Sequence, residues 1–162
     1  MNKVMDIARY IINYSNEKEY SISNLKLQKL LYFVQAYFLA FTQSHEPCFN
    51  ERIEAWDFGP VVPSVYREFK QFGSSTIPPV KSYLECSTDN IWSVQKKLFS
   101  DDVIDQKNRE IIGEIVDKFA SYSAGELVDL THNQKPWKSA YQPFLNREIT
   151  KKSIKEYFGG NE

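Results

Sequence analysis

The residues able to do chemistry are few and scattered. Histidines stand only at His45 and His132, cysteines only at Cys48 and Cys86, each in a separate segment. Glu54 and Asp57 flank an aromatic in the stretch EAWDFGPVVPSVY, residues 54–66. A hydrolase needs two carboxylates disposed across a bond, or a histidine beside a nucleophile. His132 with Glu54 or Asp57 is the set from which a small hydrolase or nucleotide-modifying site would be assembled, but nothing in the spacing sets it up. Surface or capping roles are the favoured reading of both imidazoles. A zinc centre needs three or four ligands, and neither the histidines nor the cysteines follow a ligand spacing. Gly59 precedes Pro60, which has no N–H to offer a phosphate, and Gly159-Gly160 lies at the far end. No catalytic group, metal or cofactor is therefore expected.

Lys26 and Lys29 open a long apolar segment, three residues apart and so on one helical face. A solvated first turn accounts for them, as does pairing with an acidic segment of this chain or of a partner. The chain carries 20 basic against 21 acidic residues, a net charge of -1. That balance lacks the electrostatic footprint of a protein built to grip phosphate backbones, so direct nucleic-acid binding is not expected. The longest apolar run, residues 30–41, is too short to span a bilayer, so no membrane segment is expected either. The N-terminal residues alternate charged and apolar types, unlike a secretory leader. The cysteines read as two reduced thiols of a cytoplasmic protein, packed as small apolar groups.

Several helices must position these residues. Val4, Ile7, Ala8, Ile11 and Ile12 mark one face of a first helix. Ser21 or Ser23 caps a second, whose core face reads Leu27, Leu30, Leu31, Val34, Tyr37, Phe38 and Phe41. Its second half is apolar nearly all round, the pattern of a helix buried among others. Cys48-Phe49 and residues 53–56 suggest short strands, hairpinned around Asn50-Glu51. Pro63 or Ser64 opens a short helix that Gly73 stops, and residues 74–89 read as a loop. A strand is expected at residues 91–94. Ser100-Asp101-Asp102 reads as the start of a long helix with Ile104, Ile111, Ile112, Ile115 and Phe119 inward. Residues 123–126 spell a capping box. Pro136-Trp137 opens a further turn, and Thr150 starts a last helix ending at Gly159-Gly160. The expected architecture is mainly α, a compact single-domain bundle over residues 1–162 around a buried central helix, with a minor short β-hairpin.

Within the 54–66 stretch, Gly59 can take a positive φ and Pro60 excludes it from the right-handed helical region, so the pair forces a turn. Trp56 and Phe58, two apart, would share one face of an extended strand. Turned inward, that face fills the core, which is the favoured reading because large aromatics are mostly buried. Turned partly outward, it offers an anchor to a partner.

Two separated motifs carry a family resemblance. The first joins residues 27–33, LQKLLYF, including Lys29 and Tyr32, to Ile53-Glu54-Ala55-Trp56, Gly59-Pro60-Val61-Val62-Pro63 and Val65-Tyr66. The second comprises residues 123–127, Leu130-Thr131-His132 and Pro136-Trp137. In their order they resemble the Panacea-domain family, which includes SocA-like antitoxins and phage-associated GepA-like proteins. The resemblance runs over residues 6–158 and is weakest over 74–99. It implies a compact, mostly helical fold without enzymatic activity or cofactor. It further implies neutralisation of a companion protein toxin, encoded by a neighbouring gene, through direct binding, with presentation to a cytosolic protease in some members. A phage-associated interaction protein is the alternative from the same group. The signature positions Lys29, Tyr32, Trp56, Asp57, Phe58, Gly59, Pro60, Val61, Tyr66, Thr131, His132, Pro136 and Trp137 are the candidate interaction residues. Residues 74–99 and the termini are candidates for partner selectivity.

Overall fold

A computed structural model of the chain describes residues 1–86 and 92–160. It is 52% helical, with seven α-helices and a few short strands, so the fold is mainly α. Helix α1 (Val4–Glu17) buries its expected apolar face completely. Helix α2 (Asn24–Phe41) starts where the Ser23 hydroxyl accepts the Lys26 N–H, which selects Ser23 over Ser21 as the cap. It packs against helices on several sides and against the hairpin described next. Phe33 stacks on Phe119 with ring centroids 4.4 Å apart. Tyr37 and Phe41 are exposed and leave the expected core face, lining an open groove with Ile111, Ile115 and Leu130.

The hairpin is displaced from its expected place. Strand β1 (Ile53–Trp56) pairs antiparallel with β2 (Gly59–Val61) and, on its other side, with β5 (Glu148–Ile149). The turn is Asp57-Phe58, not Asn50-Glu51, and Phe49 makes only an isolated parallel bridge with Asn2. Ile53 and Ala55 face the core.

Helix α3 (Pro63–Phe69) has proline in its first turn, where the missing N–H costs nothing, and runs through a 3-10 turn to Gly73 at φ 56. The segment expected as a loop holds strand β3 (Ser82–Cys86), paired antiparallel with β4 (Val94–Leu98). The strand expected at residues 91–94 begins at Ile91, outside the described residues, and β4 itself starts at Val94. Exposure of Cys86 at the end of β3 corrects its reading as a packed group, whereas Cys48 is buried; both thiols are free.

Ser100 caps only a 3-10 turn, Asp101–Val103, and the long helix α4 (Gln106–Lys118) starts at Asp105, whose carboxylate accepts the Asn108 N–H. Ile104 is buried ahead of the helix rather than on it. Helix α5 (Ala124–His132) opens with the capping box between Ser123 and Glu126. It is followed by α6 (Lys135–Ala140) and by α7 (Lys151–Phe158), capped by Thr150. Among the described residues no helix is long and apolar enough to cross a membrane.

Candidate protein-interaction site

The signature residues from the two halves of the chain meet at the β1–β2 turn. Its centre is Gly59, at φ 104. Neither Asp57 nor Phe58 takes a positive φ, so Gly59 supplies the irregular residue through which this turn rejoins the ladder. Space demands glycine as well. A Cβ there would sit 2.6 Å from Lys29 Cε and 2.9 Å from the Thr131 hydroxyl oxygen.

Buried polar side chains of α2 hold the strands from within. The Lys29 ammonium donates to the Pro60 carbonyl at 3.0 Å. Lysine 29 is completely buried, and loss of hydration pushes its pKa down to about 7. Gln28 Oε1 accepts the Val62 N–H at 2.9 Å. Gln35 likewise takes the Cys48 N–H and donates to the Phe49 carbonyl. Each group offers a short chain segment the partner that a neighbouring strand would otherwise supply. Lys26 and Lys29 are therefore neither solvated nor paired with carboxylates. Lys26 Nζ donates to the Ala120 and Tyr122 carbonyls beyond the end of α4, since a buried cation also finds its charge partner in exposed carbonyl dipoles. Tyr32 is buried, its hydroxyl donating to Gln134 Oε1 at 2.8 Å.

Helices α5 and α6 close the turn from outside the sheet. Buried Thr131 donates its hydroxyl to the Val128 carbonyl at 3.0 Å. His132 Nε2 lies 2.9 Å from the Asp57 carbonyl oxygen, and its ring stacks on Trp137 with centroids 4.1 Å apart. Trp137 donates its indole N–H to the Trp56 carbonyl at 2.9 Å and stacks on Tyr141 at 4.5 Å. Pro136, buried in the first turn of α6, fits where no intrahelical N–H is needed. The Tyr141 hydroxyl donates to the Asp57 carboxylate. A stack of three rings thus leans on the main chain of the hairpin.

This geometry does not join His132 to a carboxylate. The imidazole meets the backbone of Asp57, and Glu54 accepts the Trp56 indole N–H and pairs with Arg52 at 3.2 Å. No group of three or more His, Cys, Asp or Glu positioned to hold a metal is present among the described residues.

Trp56 and Phe58 do not share a strand face, because the strand ends at Trp56 and the turn intervenes. Trp56 is half-buried, edge-on to Tyr66 at 5.1 Å. Phe58 projects from the turn, 67% exposed. Beside them lies a groove of about 440 Å³, whose lining also includes Val61, Tyr141, Phe144 and Leu145. Tyr141, Phe144 and Leu145 escaped the sequence reading. Their one signal was Pro143-Phe144, a turn dipeptide just after Pro136-Trp137.

The family described as Antitoxin SocA-like, Panacea domain, matches residues 27–138, a span that takes in most of α2, the β1–β2 hairpin and the ring-stack residues of α5 and α6. Antitoxin SocA of Caulobacter vibrioides (strain NA1000 / CB15N) is 33% identical over 134 residues, covering 81% of this chain and 66% of the relative. The match therefore spans just under two thirds of the relative's length. No solved structure matches. The matched span covers more than half of the chain, and the chain belongs to the SocA-like antitoxin family with a Panacea domain.

Proposed function

We propose that the chain is the antitoxin of a toxin–antitoxin pair and neutralises its companion toxin by direct protein–protein contact. Family membership carries this reading, reinforced by a relative named as an antitoxin. The site supports a binding role: its histidine, Trp137 and its buried lysine are spent on main-chain partners and Trp56 on the Glu54 carboxylate, leaving aromatic surface outside. In this reading residues 1–162 form one domain, a helical bundle around α2, that presents the hairpin as a rigid platform without catalytic chemistry. The partner is a protein toxin encoded by a neighbouring gene and met in the cytoplasm. The net charge of -1 favours protein over nucleic acid as the ligand.

Co-expression with the adjacent gene's product tests the proposal. Growth arrest by that product alone, relieved by this chain with co-purification of the two, is the expected result. A harmless neighbour and no co-purifying partner would overturn it. Delivery of the toxin to a cytosolic protease is a separable part of the role. The toxin's half-life should then shorten when this chain is present and recover in a protease-deficient host.

A further inference from the structure

Two turns flank the groove beside the hairpin, and each points an aromatic ring at solvent. Phe58 crowns the β1–β2 turn, and Phe144 crowns the turn closed by the Gln142–Leu145 bridge. Phe144 is fully exposed, so no packing within the described chain holds it. Its φ of 67 lies in the left-handed region, which glycine or asparagine occupies more readily than a bulky aromatic. An exposed phenylalanine in a strained turn gives the folded chain nothing by itself; strain of this kind collects at binding sites.

The same groove holds a charge without a counter-ion among the described residues. The Asp57 carboxylate lines the groove with Trp56, Tyr66 and Tyr141 and takes a hydrogen bond from the Tyr141 hydroxyl. Among the described residues no lysine, arginine or histidine nitrogen reaches it within ion-pair distance. An anionic group ringed by aromatic faces selects a planar cation, because a guanidinium stacks on rings and still donates to a carboxylate. It disfavours phosphate, and with it nucleic acid or an anionic lipid surface.

We infer that this groove receives an apolar segment of the toxin bearing an arginine, whose guanidinium pairs with Asp57 while Phe58 and Phe144 grip the flanking apolar residues. The inference rests on the antitoxin reading and names the chemistry of its contact.

The test uses the full chain and the purified product of the adjacent gene. Binding is compared for the unmodified chain, Asp57→Asn, the double variant Phe58→Ser/Phe144→Gly, and a control, Val103→Ser, exposed in the 3-10 turn that follows Ser100 and away from the groove. Melting curves establish that each is folded. Asp57→Asn should weaken binding by about tenfold or more and reduce its salt dependence, and the phenylalanine pair by roughly a hundredfold, with the control near unmodified affinity. Groove variants that bind and neutralise like the unmodified chain would overturn the inference and leave the antitoxin role standing. Loss with the phenylalanine pair but not with Asp57→Asn would overturn the arginine assignment. Failure of the unmodified chain to bind or neutralise would overturn the antitoxin role and, with it, this contact.

Discussion

The Lys29 ammonium lies 3.0 Å from the Pro60 carbonyl oxygen, deep inside the protein and without a carboxylate partner among the described residues. One carbonyl satisfies one of its three donors. The arrangement ties the central helix to the hairpin at the cost of burying a charge.

Stability should therefore depend on pH through Lys29. Its pKa falls from 10.5 in the unfolded chain to about 7 in the folded one. Between those values the unfolded state binds the extra proton, so stability rises with pH, by up to about 1.4 kcal/mol per unit. The contribution is fully present above the unfolded value and is lost as pH falls through about 7. Burial raises the pKa of Tyr10, Tyr14 and Tyr32, so their folded forms hold protons longer and the gain reverses in strongly alkaline solution. Denaturant unfolding from pH 7 to 9.5 should show the rise in the unmodified chain. Lys29→Met should flatten it; an unchanged slope in that variant would show that another group titrates.

Gly59→Ala should be among the most damaging small substitutions. The methyl group meets Lys29 and Thr131 inside ordinary contact distance, and φ 104 is unsuited to alanine. Crowding and backbone strain together predict a loss of about 2–4 kcal/mol. Thermal melting measures it, and Gly73→Ala is a useful contrast. Gly73 also has positive φ but has open space around it, so backbone strain alone, about 1–3 kcal/mol, should be its whole cost.

Phe144→Gly should separate stability from function. Relief of the left-handed strain should leave stability unchanged or raise it by up to about 1 kcal/mol. Toxin binding should weaken in the same protein. A drop in melting temperature would mean that the Phe144 ring contributes to folding.

The two thiols should react very differently. Cys86 is exposed, whereas burial pushes the Cys48 thiol up to about 12. The thiolate is the reactive form, so one equivalent of alkylating agent should add at pH 8 under native conditions, mapped to Cys86 by mass spectrometry. The second should add only in denaturant.

How much of this was legible before folding varied with the range of the interaction. The capping box at Ser123, the Ser23 and Thr150 caps and the face of α1 all rest on contacts within a helical turn or on its period, and they appeared where expected. The β3–β4 ribbon did not. Its residues 82–86 and 94–98 are almost wholly exposed, so neither strand shows the alternation that burial of one face imposes. The hairpin turn was misplaced because Asn50-Glu51 carries turn chemistry, whereas Asp57-Phe58 succeeds only with Gly59 behind it.

The sequence by itself determined the helical framework, the positive φ open to Gly59 and the family, since these follow from local stereochemistry and from the order of residues; the break expected at Gly59-Pro60 falls instead at Asp57-Phe58, with Gly59 and Pro60 already in the ladder. Only the tertiary structure decided what the polar signature residues do. Lys29 and Lys26 read as solvated or paired with acidic residues because a run of residues cannot reveal which carbonyls a distant segment leaves unpaired; Pro60, Ala120 and Tyr122 supply them from 31, 94 and 96 positions away. The same holds for Trp56 and Phe58. Their spacing suits one face of a strand, but closing the ladder at Trp56 and Gly59 puts one ring against Tyr66 and turns the other into solvent.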